Sequence, residues 1–275
     1  MKIRSVQESP FHEVPFRMVE PGGRRISEKM LPIQAADVDA LPAGIDALVA
    51  CADLQGREID PQRNHLLGHV VAEALESLCE YGVLPPQDRV GILLAGDFYV
   101  VPALDKRGGY GDVRRVWESF ASRFKWVAGV AGNHDAFGME PGQEEKFRLS
   151  GGVHVLEGES VSVDDLHLAG VGGVIGSSGK PRRRDSQAFR GAVRSLLQRN
   201  PGVLILHQGP DDPRGRRDGH AQVREELETS EDLLVVCGHR HWDDPLLSLT
   251  DQVQVLNVDM RVVVMTSGWK ISDGL

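Results

Sequence analysis

Six residues in this chain share one setting: a polar side chain able to bind a metal ion, placed at or just past the end of an apolar run. Asp53 closes "DALVACAD" (46–53), Asp97 closes "RVGILLAGD" (89–97) and Asn133 closes "KWVAGVAGN" (125–133). His207 stands in "GVLILHQGP" (202–210), and His239 and His241 end "DLLVVCGHRH" (232–241). Taken singly, each reads as a cap or turn residue. Taken together they make a mixed nitrogen and oxygen donor set. Imidazole suits zinc, iron and nickel, while carboxylate and amide oxygens suit manganese and magnesium. No cysteine joins the set, which argues against a structural zinc site. The donors outnumber what one tetrahedral ion needs, so two ions sharing a carboxylate is the economical reading. Two ions about 3.5–4 Å apart can clamp a phosphate and generate hydroxide between them.

The elements that must position these residues alternate between strands and helices. Besides the strands just quoted, residues 65–82 carry apolar side chains at 66, 67, 70, 71, 74, 75 and 78, which is helical spacing, with Gly82 as a C-cap. Residues 111–124, 186–200 and 220–230 read as further helices. "VHVLEGESVSV" (153–163) and "LHLAGVGGVIG" (166–176) read as shorter β segments, and "QVQVLNV" (252–258) with "RVVVMTS" (261–267) as a hairpin-like pair. The alternation argues for an α/β layered fold with sheets covered by helices. In such sheets ligands gather at the carboxyl ends of strands. Residues 1–44 are mixed, with Pro10, Pro15, Pro21, Pro32 and Pro42 scattered through them and one short edge strand expected in "FHEVPFRMVE" (11–20). They are expected to pack as an N-terminal extension on a single domain of residues 45–275.

Composition bounds the partners. The chain has 275 residues, 41% hydrophobic and 26% charged, with a formal net charge of −9, ordinary for a soluble globular protein. An acidic balance gives no generic grip on long nucleic acid or anionic membrane. An anionic substrate would need local cations, from arginines or metal. No segment approaches about 18 consecutive apolar residues, and the first residues lack a signal-peptide core. Cys51, Cys79 and Cys237 form no CxxC pair. The expected address is the cytoplasm; nothing in the composition sets the oligomeric state.

"ADLQG" (52–56), "AGDFY" (95–99), "GNHD" (132–135), "LHQGP" (206–210) and "GHRH" (238–241) resemble, in order, the motifs of the calcineurin-like metallophosphoesterases. The resemblance spans residues 46 to about 260. It implies a four-layer α/β/β/α sandwich: two mixed sheets flanked by helices, with the ligands along one edge. It also implies a metal-dependent phosphoesterase using two divalent ions, manganese foremost, with iron, zinc, nickel or magnesium as alternatives. Carried over by position, Asp53 would bind the first ion and Asp97 would bridge both. Asn133, His207 and His239 would hold the second, and His241 would return to the first. His134 would face the substrate and protonate the leaving oxygen, with Asp135 orienting it. Metal-bound hydroxide would attack phosphorus, with Asn133 and His134 touching the phosphoryl oxygens. The family's first motif usually reads Asp-x-His, and here Gln55 stands in the histidine's place, a neutral and weaker oxygen donor.

The substrate is read as a small phosphomonoester or phosphodiester, nucleotide-like by preference. The rival readings are a nuclease of the same superfamily and a non-catalytic metal-binding scaffold. An oxygenase site is disfavoured, because it would use a leaner set of two histidines and one carboxylate. Arg214 and Arg216 follow His207 closely enough to meet a substrate phosphate, as does Arg217. Tyr99 either enters the site or packs beneath the loop. The cluster Lys180, Arg182, Arg183, Arg184 and Arg190 reads as a solvated basic face or an anion-steering patch. His65 and His69, one helical turn apart, read as surface histidines.

Overall fold

The central apolar runs form strands buried on both faces, which is why they read as continuous rather than alternating. The computed structural model describes residues 1–20, 25–106, 108–177 and 179–268. In chain order the elements begin with β1 (Ile3–Val6), β2 (His12–Val19), β3 (Ile26–Val38), β4 (Ala47–Ala52), β5 (Arg57–Glu58) and α1 (Leu67–Glu80). There follow β6 (Val90–Leu94), β7 (Gly111–Asp112), α2 (Arg114–Ala121), β8 (Trp126–Gly129), β9 (Asp135–Ala136) and α3 (Gln143–Arg148). Next come β10 (Val153–Val155), β11 (Glu159–Val163), β12 (Leu166–Val171), β13 (Val174–Ile175), β14 (Arg183–Arg184) and α4 (Ser186–Leu197). Last are β15 (Val203–Gln208), α5 (Ala221–Leu227), β16 (Leu233–Gly238), β17 (Leu246–Ser248), β18 (Val253–Asn257) and β19 (Arg261–Thr266).

Two mixed sheets carry the fold. The first runs β10-β8-β6-β4-β19-β3-β2-β5, with β1 added on β3, and the second runs β11-β12-β15-β16-β18-β17. Alternation along the strands sorts their side chains into layers. Leu48, Ala50 and Leu93 of the first sheet meet Val203, Ile205, Leu234 and Val236 of the second in one core between the sheets. The opposite faces, Val49, Cys51, Ile92 and Leu94, pack under α1 and α2 through Val71, Leu75, Val116 and Trp117. On the far side Leu204, Leu206, Val235 and Cys237 meet Phe189, Val193, Val223 and Leu227 of α4 and α5. The result is the expected four-layer α/β/β/α sandwich. Among the described residues no helix is long and apolar enough to cross a membrane.

Local chemistry sets the element ends. Asp185 caps α4 by accepting the Ala188 N–H at 2.8 Å. The β11–β12 turn places Asp164 and Asp165 at φ of 48° and 60°, the left-handed pair that a tight two-residue hairpin needs.

Two expectations are corrected. Residues 1–44 are not an extension laid on the domain: they supply β1, β2 and β3 to the first sheet, where β3 pairs in parallel with β19 from Ile33↔Val262 to Asp37↔Thr266. The scattered prolines had masked this; Pro15 and Pro32 sit within β2 and β3, near the edge of the sheet. The strands β18 and β19 are not a hairpin either. β18 pairs in parallel with β16 in the second sheet, and β19 pairs antiparallel with β4 in the first. The chain crosses between layers at residues 258–260, which lets both strands bury both faces.

Candidate metal centre

The carboxyl ends of β4, β6, β8, β15 and β16 converge on one rim. Asp53, Asp97 and His239 take left-handed φ values of 57°, 61° and 69° just past their strands. Such a conformation costs a non-glycine residue roughly 1–3 kcal/mol and concentrates at functional sites. Each is held there. Asp53 accepts the His239 N–H at 2.7 Å, tying the end of β4 to the end of β16 across the two sheets. Asp97 accepts the His134 N–H at 2.8 Å through Oδ1.

Asp97, His207 and His239 present one donor atom each, all within 4.8 Å of one another. His207 lies within β15 and is wholly buried, its Nδ1 against the Ala95 carbonyl at 2.8 Å. Its Nε2 approaches Asp97 Oδ2 at 3.3 Å without hydrogen-bond geometry, so the atom is buried and unpartnered. Asn133 Oδ1 is likewise buried with no partner. The rings of His207 and His239 stand edge to face, 5.1 Å between centroids. Orphaned buried acceptors are costly unless something meets them. Two such atoms beside a buried carboxylate and a second imidazole fit a divalent cation.

The electrostatics carry the same imprint. Burial disfavours charge on His207, but the Asp97 and Asp53 carboxylates outweigh it and raise its pKa to about 10. Burial and the neighbouring His207 push His239 down to about 4. Burial raises the Asp53 carboxyl, and the nearby Asp259 carboxylate raises it further. Asp97 stays below the usual range: burial opposes its charge, and His207 and His134 hold it. The Asp97 and Asp53 carboxylates thus make the surroundings of His207 favourable to positive charge.

Gln55 reaches the group, its Nε2 donating to Asp97 Oδ2 at 3.2 Å. A half-turn of the amide would present its oxygen instead. His241 is placed differently from the others. Its side chain is half exposed, its Nδ1 lies 3.2 Å from the Asp259 carbonyl, and its Nε2 accepts from Arg261 Nη2 at 3.2 Å.

The expected pairing of His134 with Asp135 is corrected. Asp135 is fully buried, and its carboxylate accepts backbone N–H groups of Asp97, Phe98, Tyr99 and Gly132 at 2.7, 2.8, 3.2 and 2.9 Å. It makes no hydrogen bond to the His134 ring. Adjacent residues at the start of a strand project to opposite sides, so the two side chains part. His134 Nδ1 instead meets Gly109, with the carbonyl oxygen closer than the amide nitrogen at 3.2 Å. The closer contact requires Nδ1 to carry the proton. The other nitrogen, Nε2, then faces the rim, 3.8 Å from Asp97 Oδ2. β7 pairs with β9 and fixes the Gly109 loop beside His134. A backbone acceptor carries no side-chain signal, so the sequence could not have named it.

Tyr99 packs its ring against Gly109 and Gly111, beneath the loop. Arg214 and Arg216 are exposed. Arg217 is engaged by Asp212 and Asp244 and lies over Trp242. The cluster at 180–190 is neither a free patch nor a wholly solvated face: Arg182 pairs with Glu144 and Glu157, Arg184 with Glu157, and Arg190 with Glu226. His65 Nδ1 lies 3.2 Å from Glu58 Oε2.

Comparison with known proteins agrees with this geometry. A family model described as calcineurin-like phosphoesterase matches residues 47–243. Among solved structures, the chain resembles TT1561 of Thermus thermophilus, with a TM-score of 0.56 and 14% identity over 78% of this chain and 90% of that one. At that identity the likeness speaks for the fold. No curated protein matches.

Proposed function

Since the chain belongs to the calcineurin-like phosphoesterase family, we propose that it is a metal-dependent enzyme hydrolysing small phosphomonoesters or phosphodiesters. The observation that carries this reading is the orphaned pair His207 Nε2 and Asn133 Oδ1 beside Asp97. Asp97, Asn133, His207 and His239 would hold one divalent ion, and Asp53 with Asp97 begins the place of a second. Bound ions would supply positive charge to phosphoryl oxygens and lower the pKa of a water beside them.

The chain's own groups do the rest. His134 presents Nε2 to the rim, where, with both ring nitrogens protonated, it would donate a hydrogen bond or proton to the departing oxygen. The Gly109 carbonyl holds Nδ1–H and keeps the ring in that aspect. Asp135 acts on the backbone, fixing the 97–99 and 132 segments that carry Asp97 and precede Asn133. Asp97 stays ionised in a buried place, ready for a cation. Manganese is the first choice among metals, because Gln55 replaces a nitrogen donor with an oxygen donor.

A small substrate follows from the net charge of −9 and from arginines that are largely paired with acids. A cytoplasmic enzyme working on a dissolved nucleotide-like ester fits that balance. The test is a panel of p-nitrophenyl phosphate, its bis ester, nucleoside monophosphates, cyclic nucleotides and duplex DNA, with Mn²⁺ added. Turnover of the small esters without cleavage of DNA is expected. Cleavage of DNA would favour a nuclease, and no turnover with metal bound would leave a scaffold.

A further inference from the structure

The Gly109 loop that seats His134 is held at its base by a residue from another part of the chain. Arg57, in β5, lies two places past Gln55 and is 7% exposed. Its guanidinium donates to three backbone carbonyls: Nη2 to Val100 at 2.7 Å, Nε to Val101 at 3.3 Å and Nη1 to Asn64 at 2.6 Å. Among the described residues no carboxylate pairs with it. A buried cation without a counter-charge is costly, and here backbone oxygens alone compensate it. The planar fork of arginine can meet several acceptors at once, which a lysine cannot do in the same way.

Val101 carries this hold to the acid. Its N–H donates to the Gly108 carbonyl at 3.2 Å, closing the base of the loop. Gly108 and Gly109 form the seat of the ring: a Cβ on Gly108 would come within 2.6 Å of His134 Cε1, and the Gly109 carbonyl meets Nδ1. Asp135 works on the same segment from the other end. Its carboxylate gathers the N–H groups of Asp97, Phe98 and Tyr99, while Arg57 gathers the carbonyls of the next two residues. One anion and one cation thus fix consecutive halves of residues 97–101.

The N-terminal strands stand behind Arg57. β2 pairs with β5, Arg17 opposite Arg57. Arg17 donates to the Glu58 carbonyl at 2.9 Å and to Asn64 Oδ1 at 3.2 Å, and Asn64 Nδ2 donates to the Pro102 carbonyl at 3.2 Å. Val19 of β2 packs with Val100, Leu104 and Leu66 against the same loop.

We propose that Arg57 is a positioning residue for His134, acting through Val100, Val101 and the glycines that seat the ring. The inference rests on the phosphoesterase reading above and names a residue that governs its leaving-group step. Arg57 donates to none of Asp97, Asn133, His207 and His239, so its loss is felt at the leaving group and not in metal binding.

The test compares Arg57→Met and Arg57→Lys with the wild type, each stripped with chelator and reloaded with Mn²⁺. Hydrogen exchange read by mass spectrometry reports on the loop. The amides of Val101 and Gly111, bonded to the Gly108 and His134 carbonyls, should lose protection in Arg57→Met while those of β15 and β16 keep theirs. Hydrolysis of glycerol phosphate and a cyclic nucleotide, against p-nitrophenyl phosphate and its bis ester, reports on the acid. A positioned acid typically contributes 10²–10⁴-fold, so kcat on the alkyl esters should fall about 10–100-fold in Arg57→Met and about 5–10-fold in Arg57→Lys. On p-nitrophenyl esters, whose leaving group needs no proton, the fall should stay below about threefold, with manganese content unchanged. If thermal melting shows that Arg57→Met does not fold, the selective loss in Arg57→Lys decides. Equal losses on both kinds of ester, lost manganese or unchanged loop exchange would overturn the inference. A wild type that binds manganese and hydrolyses none of these esters would refute the phosphoesterase reading itself, and the step assigned to Arg57 with it.

Discussion

The Asp135 carboxylate accepts the backbone N–H of Asp97 at 2.7 Å. A side chain from the start of β9 thus fixes the backbone of the loop after β6, with three further N–H groups gathered on the same two oxygens. Asp135→Asn would leave one acceptor oxygen and turn an NH₂ toward buried donors. The expected loss is roughly 2–4 kcal/mol of folding stability. Urea denaturation of stripped protein measures it; a loss confined to activity, with stability unchanged, would return Asp135 to the role of orienting His134.

Gly132 packs directly against Asp97. A Cβ there would overlap Asp97 Oδ1 and the Asp97 backbone nitrogen, neither of which can yield without moving the acid. Gly132→Ala is therefore expected to abolish tight manganese binding at both positions while the distant second-sheet core survives. Isothermal titration with Mn²⁺ reads the first, and far-ultraviolet circular dichroism the second.

Gly108 sits at φ 73°, and a Cβ there would come within 2.6 Å of His134 Cε1. Gly108→Ala should tilt the ring off the Gly109 carbonyl and weaken proton donation to the leaving group. A positioned acid contributes typically 10²–10⁴-fold, so a kcat loss of about 10–100-fold is expected for alkyl esters. For p-nitrophenyl esters, whose leaving group needs no proton, the loss should be severalfold at most. Equal losses on both would mean the loop serves only the fold.

His69 on α1 gives a pH dependence separate from the rim. Burial, then the neighbouring His65, push its pKa from 6.5 down to about 4. The fold holds the neutral ring, so on acidification the unfolded chain takes the proton first. That contribution to stability is whole above about pH 6.5 and drains away as pH falls toward 4. The melting temperature of His69→Gln should accordingly fall less than that of the wild type between pH 7 and pH 5. An equal fall in both would show that the ring is not buried neutral.

Much of this was legible because the signal is local. An apolar run that stops at Asp53, Asp97 or Asn133 announces a strand and a rim residue in the same few letters. "QVQVLNV" and "RVVVMTS", by contrast, read as a hairpin because they are adjacent in sequence. Which sheet a strand joins depends on long-range pairing, and short apolar segments do not encode it. The directions of side chains were hidden for a related reason. Asp135 and His134 are adjacent letters, but the β7–β9 pairing sends one into the interior and the other against a glycine carbonyl. Arg182 and Arg190 looked available as charges because their partners, Glu144, Glu157 and Glu226, lie tens of residues away in sequence.

The central claim is that phosphoester hydrolysis here depends on a metal held at Asp97. It is tested most directly by bis(p-nitrophenyl) phosphate hydrolysis in stripped protein as Mn²⁺ is returned, beside Asp97→Asn under the same titration. The stripped wild type should be inactive and should gain activity that saturates with Mn²⁺, while Asp97→Asn, folded by circular dichroism, stays at background. Hydrolysis that persists in chelator, or that survives in Asp97→Asn, would contradict the account.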